Sequence, residues 1–271
     1  MTGDRSSWVA LMIGNSRLHW AIFTDQTLRY AWDTPHFSPE VAAHLLDAQF
    51  ALEALAQVSL IHLPDSLHLH APDLWIASVV PDQTLLWQAY SRAYGLTLTD
   101  VPLQSLYPTL GIDRALALWG AIAQWGTPTL VIDGGTALTF TGADEQHQLV
   151  GGAILPGLQL QLRSLSQHTA ALPAVTTPLP DLPTRWATNT PDAIRSGVLY
   201  TTLAGIREFI KDWLKAFPTS AIALTGGDGE WLYQACHTQY PNLATHFYWD
   251  SHLVLKGIAA TRMSRELKES R

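Results

Sequence analysis

The chain has 271 residues, 47% of them hydrophobic and 14% charged, a composition that excludes a disordered chain and suits one large or two small domains. A formal net charge of −7 without runs of like charge excludes a nucleic-acid surface of clustered Lys and Arg. The single cysteine, Cys236, excludes an internal disulfide, the first thirty residues lack a secretion-signal pattern, and no uninterrupted apolar stretch approaches the roughly 20 residues that cross a bilayer. The expectation is a soluble, cytoplasmic protein with neither a nucleic-acid nor a membrane partner. The eleven tryptophans are expected to pack the core, each indole N–H finding a partner.

In chain order, Trp8–Ile13 is a short apolar run, Gly14-Asn15-Ser16 a turn, and Leu18–Thr24 an alternating run, which predicts a hairpin with a third strand near Leu28–Trp32. Ser38-Pro39-Glu40 opens an Ala- and Leu-rich segment with helical spacing to about Gln57. Residues 61–73 read as a loop, Leu74–Val80 as a buried strand, Asp82–Tyr94 as a helix and Leu96–Val101 as a strand. The pattern then restarts. A helix from about Asp113 to Trp125 precedes strands at Thr129–Asp133, Ala137–Thr141 and Leu149–Ile154, and helices near Leu158–His168 and Pro191–Ala216. A strand at Ala221–Thr225 leads through Gly226-Gly227 into a helix at Glu230–Gln239, and Ser251–Leu267 reads as a terminal helix. The Pro-rich stretch Pro173–Pro183 is an irregular connection. Each half is therefore a strand meander followed by alternating helices and strands, a duplication and not a solenoid.

Chemistry concentrates in residues 111–157. Gly111-Ile112-Asp113-Arg114 is followed by VIDGGTALTF from Val131 to Phe140 and by GGAILPG from Gly151 to Gly157. A buried strand ending in an acid, turning on two glycines and resuming with Thr136 gathers a carboxylate, a hydroxyl and backbone amides at one point. Those groups suit a nucleotide phosphate and its cation. Each residue also has a purely structural use. Asp113 suits a helix cap, Asp133 an Asx turn ending a strand, and Arg114 an ion pair. The histidines build no zinc pattern: His62, His68 and His70 lie in a loop near Asp65 and Asp73 without a cysteine pair, and His237 is merely next to Cys236. No Gly-x-Ser-x-Gly elbow is present.

Two similar α/β lobes with Gly-turn hairpins resemble the duplicated actin, sugar-kinase and heat-shock ATPase fold, which implies an active site in the inter-lobe cleft. The finer resemblance is to the type III pantothenate kinases. It rests on IGNSRLHW near the start, LGIDRALALWGA, IDGGTALTF, LVGGAILPGLQL, ALP at 171–173, NTPDAIRSGV from Asn189 and LTGGDGEWL from Leu224, and spans nearly the whole chain. The order and spacing of these segments are specific where each alone is weak.

The resemblance implies ATP-dependent phosphorylation of pantothenate to 4′-phosphopantothenate, the first step of coenzyme A biosynthesis, with magnesium and a monovalent cation, potassium or ammonium. It implies lobes at residues 1–110 and 111–250, with a terminal helix at about 251–271 packing back on the first, and a homodimer. Asp113 is then the general base, able to accept the hydroxyl proton late, as the O–P bond forms. Gly111, Ile112, Asp113 and Arg114 bind pantothenate, Arg114 through the bidentate fork that suits a carboxylate. Tyr107 lines the same pocket, and Thr190 reaches the substrate across the dimer. Met12, Ile13, Gly14, Asn15, Ser16, Arg17, Leu18 and His19 form the first ATP-binding segment, Thr136 meets the ATP phosphates, and Asp133 binds the monovalent cation. Gly226 and Gly227 let the backbone approach the adenosine end.

The sequence departs from the family pattern at the first turn, where Met12 stands for the usual Asp and Ser16 for the Thr, and at Thr141, where relatives often carry Asp. Two other readings stay open: a non-catalytic regulatory relative of the same fold, and a superfamily kinase acting on another small polar substrate.

Overall fold

The computed structural model describes residues 7–64, 67, 69–175 and 182–269. The chain divides into two compact units, residues 1–123 with 252–271 and residues 124–251.

In the first unit, the alternating apolar runs form β1 (Ser7–Ile13), β2 (Leu18–Thr24) and β3 (Thr27–Thr34), paired antiparallel in chain order. β4 (Leu74–Ser78) joins β1 in parallel and β5 (Ala93–Gly95) joins β4, giving the order β3-β2-β1-β4-β5. Because alternate residues face opposite sides, Val9, Leu11 and Ile13 of β1 join Leu18, Trp20 and Ile22 of β2 in one core. The helices α1 (Pro39–Asp47), α2 (Leu52–Ser59) and α3 (Pro81–Trp87) belong to this unit. Trp87 meets Trp20 edge-on at 5.2 Å between ring centroids.

Three expectations are corrected here. The helix expected to run to Gln57 breaks in two, because Gln49 and Phe50 take left-handed backbone at φ 48° and 55°. Phe50 is fully buried against Tyr90, with centroids 4.8 Å apart. Burying that ring stabilises by about 1.5–3 kcal/mol, enough to offset the roughly 1–2 kcal/mol of a left-handed residue. The helix expected to reach Tyr94 ends at Trp87, and the strand expected at Leu96–Val101 lies earlier, at β5. Leu98–Asp100 is instead a 3-10 turn, closed by Thr97 N–H donating to Asp100 Oδ2 at 2.8 Å, a capping box that prevails over strand propensity. The indoles, finally, do not all find partners. Trp8 donates to the Asp25 carbonyl and Trp20 to Thr34, but the buried Nε1 atoms of Trp75 and Trp87 have none among the described residues.

The described part of residues 61–73 holds no helix or strand, as expected; Asp65 and His68 lie outside the described residues. Two helices complete this unit's core, α4 (Ile112–Trp125) and α8 (Leu253–Glu269). Leu253, Leu255 and Ile258 of α8 are buried, and the Arg262 guanidinium stacks over Trp8 at 4.6 Å. Gly257 lies so close to the Leu116 carbonyl of α4 that a methyl group would overlap it.

The second unit repeats the plan. β6 (Thr129–Gly134), β7 (Ala137–Ala143) and β8 (Leu149–Pro156) form an antiparallel meander, β9 (Ala221–Thr225) joins β6 in parallel and β10 (Phe247–Trp249) joins β9. The order β8-β7-β6-β9-β10 is that of the first sheet, strand for strand. α5 (Leu158–His168), α6 (Thr190–Ala216) and α7 (Gly229–Gln239) complete the unit around Ile132, Phe140, Leu203, Leu224 and Leu232. The expected helices and strands of this half are all present. β10 was not expected, because three residues are too few to show a period of two. Of the irregular connection at Pro173–Pro183, residues 176–181 lie outside the described residues. Among the described residues no helix is long and apolar enough to cross a membrane.

Candidate active site

The first Gly turn joins β1 to β2. Gly14 N–H donates to the Arg17 carbonyl at 2.9 Å, closing the turn, and His36 Nε2 is 2.8 Å from the Gly14 carbonyl oxygen. Met12, Ile13 and Leu18 are buried, whereas Asn15, Ser16 and Arg17 are exposed. Of the segment expected to bind ATP, these three residues with Gly14 and His19 are therefore the ones a ligand reaches. Asp33 lies beside the turn, 2.7 Å from His19 Nδ1 and 3.9 Å from Arg17 Nη1. Burial pushes the Asp33 carboxyl up, but the His19 hydrogen bond and the charges of His19, Arg17 and His252 outweigh it and hold the group below its ordinary value.

Also in the first unit, α4 begins inside the Gly-x-Asp-Arg segment. Asp113 Oδ1 accepts the backbone N–H of Arg114 at 2.8 Å, and Gly111 leaves room for that carboxylate, since a methyl group on Gly111 would overlap Oδ1. Arg114 is 8% exposed, and its Nη1 donates to the Tyr107 hydroxyl at 3.0 Å. An acid, a guanidinium and a phenol thus stand within one turn of helix and the loop before it. Their chemistry suits a ligand carrying both a hydroxyl and a carboxylate.

In the second unit, Asp133 ends β6, paired with Thr139 of β7 and Thr225 of β9. Gly226 follows β9 with φ 87°, and a methyl group there would overlap Asp133 Oδ1. Only glycine fits that backbone and that approach. The Gly134 carbonyl accepts the Asp228 N–H at 2.7 Å, and the Thr136 carbonyl accepts the Gly157 N–H at 2.9 Å. Gly157 is the N-cap of α5 and packs on the Gly135 carbonyl, so the partial positive charge of that helix start falls beside the Gly134-Gly135-Thr136 turn. Asp228 has its carboxyl raised by burial. Thr190 begins α6 behind the cap Asn189, whose Oδ1 accepts the Asp192 N–H at 3.0 Å. It borders an open groove of about 750 Å³ between α5 and α6, lined also by Gln161, Leu165, Ala193 and Gly197.

A model of the type III pantothenate kinase family matches residues 8–212, which take in both Gly turns, the Gly-x-Asp-Arg segment and Thr190. This chain belongs to the type III pantothenate kinase family. It is 47% identical over 257 residues to the type III pantothenate kinase of Nostoc sp., covering 93% of each chain. It is 44% identical to that of Synechocystis sp., covering 93% of this chain and 89% of the relative. Among solved structures it is similar to a conserved Baf family protein from Campylobacter jejuni, with a TM-score of 0.61, 19% identity and coverage of 96% and 99%. A protein assigned as a 2-dehydro-3-deoxygalactonokinase from Sinorhizobium meliloti follows with a TM-score of 0.51, 12% identity and coverage of 95% and 96%. At these identities the two structures show the fold alone.

Within this type III pantothenate kinase family chain, the first unit brings Tyr107, Gly111, Asp113 and Arg114 together, and separately gathers Gly14 to Arg17 with His19. The second brings Asp133 and Thr136 together with Gly226. Sequence reading missed Asp33, Gly157 and Asp228 as neighbours of these turns. Asp33 was within reach of it, because counting outward from a hairpin turn puts Met12, His19 and Asp33 on one rung. Asp228 and Gly157 carried no such signal, since their positions depend on how β9 and β8 return to β6.

Proposed function

We propose that this chain transfers the γ-phosphoryl group of ATP to the primary hydroxyl of pantothenate, giving 4′-phosphopantothenate on the route to coenzyme A. The observation that carries this reading is the match to type III pantothenate kinases, 41–47% identical over at least 93% of this chain, with the Gly111–Arg114 segment intact. Phosphoryl transfer passes through a loose transition state, so the protein's work is alignment and charge neutralisation. Asp113 orients the pantothenate hydroxyl and takes its proton as the O–P bond forms. Arg114 and Tyr107 hold the pantothenate carboxylate, with Gly111 and Ile112 shaping the backbone around it. The amides of Gly14, Asn15 and Ser16 hold phosphate oxygens, and the Thr136 hydroxyl donates to them.

ATP is the donor of a kinase of this kind and usually brings a divalent ion with its phosphates. Among the described residues no group of three or more His, Cys, Asp or Glu is arranged to hold a metal ion, and buried Met12 offers no carboxylate. The chain's own hold on magnesium is therefore slight, and the ion rests mainly on phosphate and water. Asp133 suits a monovalent cation better. Its carboxylate lies against the Gly226 backbone in a space a side chain would fill, where oxygen is the donor on offer. A bound potassium or ammonium ion would supply positive charge near the phosphates.

A homodimer belongs to the same proposal, supported by the open groove that Thr190 borders; sedimentation of the purified chain tests it. The activity is tested by incubating the protein with ATP, magnesium and pantothenate, with and without potassium or ammonium, and weighing the product. A phosphopantothenate mass that depends on the monovalent cation supports the reading and Asp133. A folded chain giving no product under any cation favours the non-catalytic relative instead.

A further inference from the structure

The first sheet lines up three side chains beside its Gly turn. Met12 of β1 pairs with His19 of β2, and His19 pairs with Asp33 of β3. Cross-strand partners in an antiparallel sheet share a face, so all three point the same way. Met12, 2% exposed, brings no charge to that rung. His19 and Asp33 are partly open to solvent.

His19 Nδ1 stands 2.7 Å from Asp33 Oδ1. An ionised carboxylate only accepts, so Nδ1 is the nitrogen that carries the proton and Nε2 is the working end of the ring. Nε2 points back at the turn, 3.4 Å from where a methyl group on Gly14 would sit. The Gly14 carbonyl is fixed from the other side by His36. The charged and titratable groups around the ring are Asp33, Arg17, His36 and His252.

We propose that His19 is a phosphate-contacting residue, its Nε2–H donating to the polyphosphate of the nucleotide at the Gly14 turn, with Asp33 as the positioning residue that fixes the ring. Anionic phosphate on one side and the Asp33 carboxylate on the other both favour the imidazolium form that this contact needs. The rung thus brings positive charge to a turn whose own first strand supplies none. A carboxylate behind an imidazole also suits a transition metal. Here Arg17 shares the carboxylate, and the described residues offer no third ligand, which favours an anion over a cation.

The inference rests on the nucleotide-dependent kinase reading, and its test is binding, which needs no turnover. Calorimetric titration of the full chain with magnesium and the non-hydrolysable analogue AMP-PNP is compared with adenosine for wild type, His19→Ala, His19→Gln and Asp33→Asn. His19→Ala is expected to weaken AMP-PNP about tenfold, the worth of one charge-assisted hydrogen bond, and to leave adenosine unchanged. His19→Gln keeps an N–H donor and recovers part of the loss. Asp33→Asn loses about threefold and raises the KM for ATP while the KM for pantothenate stays. Wild-type AMP-PNP affinity in both His19 variants overturns the proposal, as does an equal loss of adenosine or a loss seen only with manganese and not magnesium. If His19→Ala melts far below wild type, the Gln variant decides. A chain that binds AMP-PNP through His19 yet makes no phosphopantothenate sinks the pantothenate reading alone; one that binds no nucleotide sinks both.

Discussion

Arg114 Nη1 donates to the Tyr107 hydroxyl at 3.0 Å, tying the loop before α4 to the buried guanidinium at its first turn. The bond sets the direction of the guanidinium before any carboxylate arrives. Tyr107→Phe removes one hydrogen bond, worth about 1 kcal/mol. The expected result is a rise of roughly fivefold in the KM for pantothenate, with the KM for ATP unchanged. Steady-state kinetics against each substrate read this directly, and equal rises in both would point to general disruption of the loop.

Asp113→Asn is expected to lower turnover by about a hundredfold or more, in line with loss of a general base, with little change in melting temperature. Gly111→Ala probes the same group without altering it, because the added methyl group overlaps Asp113 Oδ1 and must turn the carboxylate away. Its turnover should fall in the same direction. Near-normal turnover in Asp113→Asn removes Asp113 from the base role.

Gly226→Ala strains a backbone at φ 87° and pushes on Asp133 Oδ1 and the Gly134 backbone. The expected cost is about 2 kcal/mol or more in urea unfolding. Any activation by potassium or ammonium should disappear with it, and undiminished activation in a folded variant would separate the cation from Asp133.

Burial pushes the Cys236 thiol up to about 12, from an ordinary 9.0. The folded state therefore holds its proton more tightly than the unfolded state does. Stability from this group is present below pH 9 and declines as pH climbs toward 12. The stability difference between wild type and Cys236→Ala should shrink over that range. Iodoacetamide should leave the native thiol unlabelled at pH 8 and label it in urea.

Strand pairing and order were the legible part of the fold, because alternation and Gly turns are local signals. The second half read almost element by element, from Thr129 to Gln239. The first half misled where a large aromatic side chain decided the path. Nothing in the sequence around Gln49 and Phe50 says that the ring leaves the helix to join Trp20, Trp87 and Tyr90. At the candidate site, the motif residues were visible as residues, and their partners were not. Gly157 meets Thr136 and Asp228 meets Gly134 only because distant segments return to the same strand end.

The helix that completes the first unit comes from residues 253–269, after all of the second unit. During synthesis, then, residues 124–251 can collapse around their own core while the first sheet still lacks the helix that covers Trp8 and seats Gly257 on Leu116. The part of the chain made first is the part finished last. A premature stop or a bulky fusion at the far end would therefore be felt at Gly14 and Asp113, well over a hundred residues upstream in sequence.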